Sequence, residues 1–213
     1  MAISLRPDYA AAYYDRGVAY GNIGQHDLAI DDYTKATSLQ PDYFTAYYNR
    51  GLGHVVRGQL DRAIEDLTKA ISLRPDCADT YYNRGVVHDS RRNHELAIND
   101  YTKAISLSPD YADAYYNRGL DYAEIGQLDL AIEDFSSVIS LRPGDADAHG
   151  NRGTAYYEKG QYGRAIEDYT KAILLRPDDA ALYYNRGAAY YNQGRADEAQ
   201  RDFDMSDQMK ETI

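Results

Sequence analysis

The sequence predicts an all-α protein built from stacked helix pairs, and three observations carry that prediction. Six prolines, Pro7, Pro41, Pro75, Pro109, Pro143 and Pro177, stand 34 residues apart. The pentapeptide YYNRG begins at Tyr47, Tyr81, Tyr115 and Tyr183, with near copies at Tyr13 (YYDRG) and His149 (HGNRG). A glycine recurs after these, at Gly24, Gly58, Gly126, Gly160 and Gly194. Self-similarity at a fixed period of this size marks a repeat array in which each unit is one supersecondary element.

Counted from the third residue after each proline, the units are 10–43, 44–77, 78–111, 112–145, 146–179 and 180–213. In the second unit a first helix, helix A, is expected over 43–56, and Gly58 ends it where a left-handed turn residue is cheap. Helix B follows over 61–73, and Pro75 stops it. Its apolar residues Ala63, Ile64, Leu67, Ala70 and Ile71 recur at three- and four-residue steps, one face of an α-helix. The third unit has Arg92 in place of the turn glycine, so its turn should be strained or shifted onto Asn93. Asp8, Asp42, Asp76, Asp110 and Asp178 each follow a proline and are expected to cap helix A. Gly144 takes that place in the fifth unit.

Every pentapeptide carries an arginine: Arg16, Arg50, Arg84, Arg118, Arg152 and Arg186. An aspartate recurs 16 residues after each, as Asp32, Asp66, Asp100, Asp134, Asp168 and Asp202. Antiparallel pairing of A and B brings the two together, and a guanidinium among apolar neighbours requires such a partner. A partly buried Arg–Asp bridge repeated through the chain is expected, the alternative being six solvated arginines.

Composition narrows the function classes. The chain of 213 residues is 44% apolar and 27% charged, as in folded domains. No apolar run approaches the ~20 residues that span a membrane, so no membrane partner is expected. A net charge of −11 argues against nucleic acid, which calls for a basic face. Cys77 is the only cysteine, which excludes an internal disulfide and fits a reducing, cytoplasmic compartment. Catalytic patterns all break off. HELAI at 94–98 lacks the second histidine of a zinc-protease motif, and the would-be cation loop opening at Asp145 has Tyr156 at its twelfth place. GLGHVV at 51–56 lacks the last glycine of a dinucleotide loop. His54 and His88 share one repeat position, where other units have tyrosine. With no third ligand in the pattern they read as substitutes for packed tyrosines rather than a metal site. No catalytic residue, metal or cofactor is expected, and the chain is not expected to be an enzyme.

These residues resemble the tetratricopeptide repeat (TPR), W-x2-L-G-x2-Y…A-x3-F…P over 34 residues. In the first unit the matching residues are Tyr13, Arg16, Gly17, Tyr20, Ala29, Tyr33 and Pro41, and both the glycine and the alanine recur in all six units. Tyrosine or His149 replaces the family's tryptophan, and arginine replaces its leucine. The resemblance implies a right-handed α-solenoid superhelix of antiparallel helix pairs, with residues 1–9 the tail of a truncated preceding repeat, 10–213 a single array, and 195–213 its capping helix. Gln200, Ser206 and Asp207 are expected to give that helix a polar outer face. The uncapped end near Ala2, Ile3 and Leu5 is expected to be sticky, a route to self-association.

The resemblance also implies that helices A line a concave groove where ligands lie. The second, fifth, sixth, ninth, twelfth and thirteenth residues of each unit should face it. The expected peptide-binding residues are Asn49, Asn83, Asn117, Asn151 and Asn185, the tyrosines Tyr48, Tyr82, Tyr116 and Tyr184, and the acidic Asp79, Asp113, Asp147, Glu124 and Glu158. The asparagines are similar to the ladders with which some TPR superhelices grip peptide backbone. The carboxylate clamp of other TPR proteins is absent, since its lysine positions hold residues such as Tyr48 or Asp113. The carboxylates favour a basic or neutral extended segment over an acidic one. Gly150 interrupts the tyrosine run and either opens a notch for a partner side chain or is drift. The expected role is a protein-interaction scaffold binding an extended peptide or partner protein. The alternatives are a structural, self-assembling array and a regulatory segment of a larger protein.

Overall fold

The computed structural model describes residues 8–210, which hold twelve α-helices and no strand. They fall into two compact units, one ending at Pro109 and one beginning at Asp110. The first contains α1 (Ala10–Asn22), α2 (His26–Leu39), α3 (Phe44–Val56), α4 (Leu60–Leu73), α5 (Ala78–Ser90) and α6 (His94–Leu107). The second contains α7 (Ala112–Glu124), α8 (Leu128–Leu141), α9 (Ala146–Glu158), α10 (Tyr162–Leu175), α11 (Ala180–Asn192) and α12 (Ala196–Lys210). Odd-numbered helices are the A helices and even-numbered ones the B helices. Within each unit a helix packs against its neighbours in the chain, and successive A helices also touch: α1 with α3, α3 with α5, α7 with α9, α9 with α11. The protein is an all-α solenoid of helix pairs.

Small residues set the A–B distance. Ala63, Ala97, Ala131 and Ala165 are wholly buried on their B helices. Across from them the glycine of the pentapeptide leaves no room for a side chain. A Cβ on Gly85 would lie 2.7 Å from the Tyr101 ring, and one on Gly119 2.9 Å from Phe135. The buried Leu67, Tyr101, Phe135 and Tyr169 fill the space so left, one per hairpin. The pentapeptide is therefore a packing device: its glycine admits an aromatic or leucine from helix B, and its arginine answers the aspartate one residue before that side chain.

The turn expectations hold where glycine stands: Gly58 has φ 68°. Arg92 itself takes the left-handed conformation, with φ 58°, so the third turn is strained and not shifted. The capping expectation is corrected. The N-cap residues of α1, α3, α5 and α7 are Tyr9, Tyr43, Cys77 and Tyr111, and none of their side chains caps its helix. Asp8, Asp42, Asp76, Asp110 and Asp178 stand one residue too early. An aspartate does cap where one sits at the N-cap itself: Asp145 accepts from the Ala148 amide at 2.9 Å and Asp179 from that of Ala181 at 3.0 Å. Ser206 is corrected too. It occupies the buried seat of Ala172, and its hydroxyl has no partner among the described residues, whereas Gln200 and Asp207 are exposed. The expectations for Ala2, Ile3 and Leu5 lie outside the described residues.

Candidate partner-binding face

The arginine of the pentapeptide is the scaffold beneath this face. Arg118 donates from Nε and Nη2 to both oxygens of Asp134, at 2.8 and 2.7 Å. The same two-point pair joins Arg16 to Asp32, Arg50 to Asp66, Arg84 to Asp100, Arg152 to Asp168 and Arg186 to Asp202. Five of the arginines are largely buried, the Arg118 side chain being 15% exposed and its Asp134 partner 5%. Burial pushes the Asp134 carboxyl above its ordinary value, and the Arg118 hydrogen bonds pull it partly back. In four of the repeats the remaining guanidinium nitrogen reaches the preceding helix B. Arg50 donates to Thr34 and Thr37, Arg84 to Thr68, Arg152 to Ser136 and Arg186 to Thr170, at 2.9 to 3.2 Å. One side chain thus closes a hairpin and ties it to the one before.

The two histidines do substitute for packed tyrosines. Tyr20, Tyr122 and Tyr190 lie against the guanidiniums of their repeats. At the same position His54 Nε2 stands 3.7 Å from Asp66, and His88 Nε2 stands 3.9 Å from Asp100.

The expected groove residues divide into those engaged within the fold and those left open. Asn49 donates to the Tyr14 hydroxyl, Asn83 to that of Tyr48 and Asn151 to that of Tyr116, at 3.1, 2.9 and 2.9 Å. Each bond spans 35 residues and stitches one helix A to the one before. Burial raises the Tyr48 and Tyr116 phenols, Asp79 and Asp147 adding to it, while the asparagine bonds pull them down. The tyrosine rings lean on the B helices: Tyr82 on Tyr101 and Tyr116 on Phe135, with centroids 5.8 and 5.9 Å apart. Tyr184 also meets Phe203, at 5.5 Å, yet stays 54% exposed. Asn185 has no hydroxyl to bond, because Gly150 stands where the preceding repeat should offer a tyrosine. Gly150 opens no notch: the Leu182 side chain fills the space, 3.2 Å from where a Cβ would be.

The acidic residues divide in the same way. Arg142 binds both oxygens of Asp113, at 2.5 and 3.1 Å. Arg176 binds both of Asp147, at 2.9 and 2.8 Å, and holds that carboxyl below its ordinary value. Among the described residues, Glu124 and Glu158 have no hydrogen-bond or ion-pair partner. Both open on one pocket of about 310 Å³ between α7 and α9, lined by Leu120, Ala123, Glu124, Phe135, Asn151, Thr154, Ala155 and Glu158. A pocket of about 340 Å³ lies at the matching place between α1 and α3, lined by Val18, Gly21, Asn22, His26, Ala29, Tyr33, Asn49, Leu52, Gly53 and Val56. Most of these are the sixth, ninth, twelfth and thirteenth positions of their repeats, as expected from the sequence. The floor residues Phe135 and Tyr33 come from helix B and were not among the expected groove residues, although their place opposite the pentapeptide glycine marks them.

No curated protein sequence matches the chain. Among solved structures, MamA aligns with a TM-score of 0.76 at 32% identity, over 81% of this chain and 94% of MamA. YrrB, described as a TPR protein with an unusual peptide-binding site, aligns with a TM-score of 0.78 at 29% identity, over 85% of this chain and 93% of YrrB. A tetratricopeptide repeat protein from Parabacteroides merdae shares the fold, with a TM-score of 0.77 at 21% identity over 91% of this chain and 77% of its own. A TPR-repeat family model matches residues 54–89, 91–126, 119–160 and 153–194, and tetratricopeptide-repeat models match 10–43 and 180–210. The chain belongs to the tetratricopeptide repeat family.

Proposed function

We propose that the protein is a non-catalytic interaction scaffold that binds an extended segment of a partner protein along its A-helix face. The TPR fold and its solved neighbours support the coarse reading, a protein-interaction scaffold. The observation that carries the finer one is that each unit opens a pocket between successive A helices, with the polar ladder beneath already satisfied. A partner then meets a preformed surface and need not break internal bonds to dock, which lowers the ordering cost of binding. On this reading Asn185, Glu124, Glu158 and the exposed edge of Tyr184 offer contacts directly. Asn49, Asn83 and Asn151 offer the partner their carbonyl oxygens, since an amide that donates to tyrosine still accepts. Tyr48, Tyr82 and Tyr116 are walls, Asp113 and Asp147 act with their arginines as paired charges, and Asn117 and Asp79 stand in the same rows. YrrB, a protein with a peptide-binding site, provides the analogy for a peptide ligand.

Filling the pockets tests this. Leu52→Trp and Ala123→Trp, each checked for unchanged helicity by circular dichroism, should abolish or strongly weaken binding of a pooled extended-peptide library measured by fluorescence anisotropy. Lys171→Ala on the exposed surface of α10 should leave it intact. Equal binding by all three would place the site elsewhere.

A further inference from the structure

The two inter-helix pockets are built on one plan and differ in charge. At the thirteenth position of the repeat the first-unit pocket has Asn22 and Val56, with Val56 62% exposed. The second-unit pocket has Glu124 and Glu158 at that position. The other carboxylates expected on this face of the second unit are committed, Asp113 to Arg142 and Asp147 to Arg176. Lys159, next to Glu158 in the chain, is also committed, paired with Asp129. Two carboxylates with no partner among the described residues therefore line one pocket together with the apolar Leu120, Phe135 and Ala155, in a space of about 310 Å³. The field of Glu158 also reaches inward, adding to the burial that pushes the Tyr169 phenol up to about 12, while Tyr169 donates to Thr154 in the pocket wall.

From this we infer that the pocket between α7 and α9 is a receptor for one lysine or arginine side chain of the bound partner. The inference rests on the reading of the A-helix face as the binding face. A cationic side chain matches the lining group by group. Its methylene stem lies along Leu120 and the Phe135 ring, as such stems do on apolar surface. Its charged head sits between Glu124 and Glu158, where opposite charge is rewarded and an acidic side chain is repelled. The Thr154 hydroxyl accepts a remaining N–H. A bare divalent cation matches poorly, because hard cations take six or more oxygen ligands and this lining is half apolar. The first-unit pocket, with no carboxylate, has no such preference.

The test uses the full chain and four fluorescein-labelled nine-residue peptides in a Ser/Ala background, with lysine, arginine, norleucine or glutamate at the centre. Norleucine keeps the stem and removes the charge. The lysine and arginine peptides should bind about tenfold more tightly than the norleucine peptide, the scale of one charged hydrogen-bonded contact. The preference should shrink with added salt. In the isosteric double variant Glu124→Gln/Glu158→Gln it should vanish, the lysine and arginine peptides binding no more tightly than the norleucine peptide. With Glu124→Lys/Glu158→Lys the order should invert in favour of the glutamate peptide. If peptides bind with no preference for the cation, or if the preference survives both double variants, this inference fails and the scaffold reading stands. If none of the four peptides binds at all, both fail.

Discussion

At the residue scale the recurring arginine and glycine are structural, which explains why a feature so regular carries no chemistry. Asp134 is buried, and its charge is tolerable because Arg118 meets both oxygens. Arg118→Ala leaves that carboxylate without its cation and should cost about 3–5 kcal/mol. Lys103→Ala, on the exposed surface of α6, should cost less than about 0.5 kcal/mol. Urea unfolding of the two variants side by side checks this, and equal midpoints would contradict it. His88 adds a pH dependence. Burial holds its imidazole below the usual 6.5, with Arg84 and Arg91 acting in the same direction and Asp100 opposing. A histidine depressed in the folded state contributes stability above pH 6.5 and loses it as pH falls through the folded value. The drop in melting temperature between pH 7.5 and 5.5 should therefore be smaller in His88→Tyr, the residue found at Tyr122 and Tyr156. An unchanged drop would show that His88 does not titrate across that window.

At the scale of the element, turns and helix starts tie one repeat to the next. Asp27 pairs with Arg57 at 2.8 Å, Asp61 with Arg91, and Asp129 with Lys159, each linking the first turn of a helix B to the turn of the following repeat. The series breaks twice: Ile125 replaces the base that would answer Glu95, and in the fifth repeat Gly163 replaces the acid and Gln193 the base, with an open surface depression beside them. Gly163→Asp combined with Gln193→Arg should restore the tie. Surface pairs contribute ~0.5 kcal/mol, and replacing a helical glycine adds a further ~0.5 kcal/mol, so a gain of about 1 kcal/mol is expected. Thermal unfolding of the double variant measures it. A loss of stability would mean that Gly163 is required by its backbone or packing. The helices themselves were legible in the sequence, because prolines and glycines punctuate a 3.6-residue apolar rhythm. Their caps were not. Asp42 and its equivalents read as caps from the proline spacing, but the helix begins after Tyr43, a one-residue difference that only backbone geometry decides.

For the molecule as a whole, the 34-residue period made the fold readable, since every repeat restates the same packing problem and answers it with the same residues. The candidate site was readable by position and less so by chemistry. Reading helix A by itself assigns Asp113 and Asp147 to the open face as charge. Their partners Arg142 and Arg176 lie 29 residues on, at the C-terminal end of helix B in the same repeat, and pair with them. The asparagine ladder reaches further, its 35-residue bonds crossing from one repeat to the next, with Tyr14, Tyr48 and Tyr116 using amides that a single repeat leaves facing a ligand. What remains uncommitted is a smaller set, centred on Glu124 and Glu158, and the functional account depends on it. The most direct test is to label the protein with ¹⁵N and map the amides perturbed by the lysine peptide. The account predicts shifts concentrated at Leu120, Ala123, Asn151 and Thr154, around the pocket between α7 and α9. Shifts concentrated instead at Glu133 and Lys171, on the exposed surfaces of α8 and α10, would contradict it.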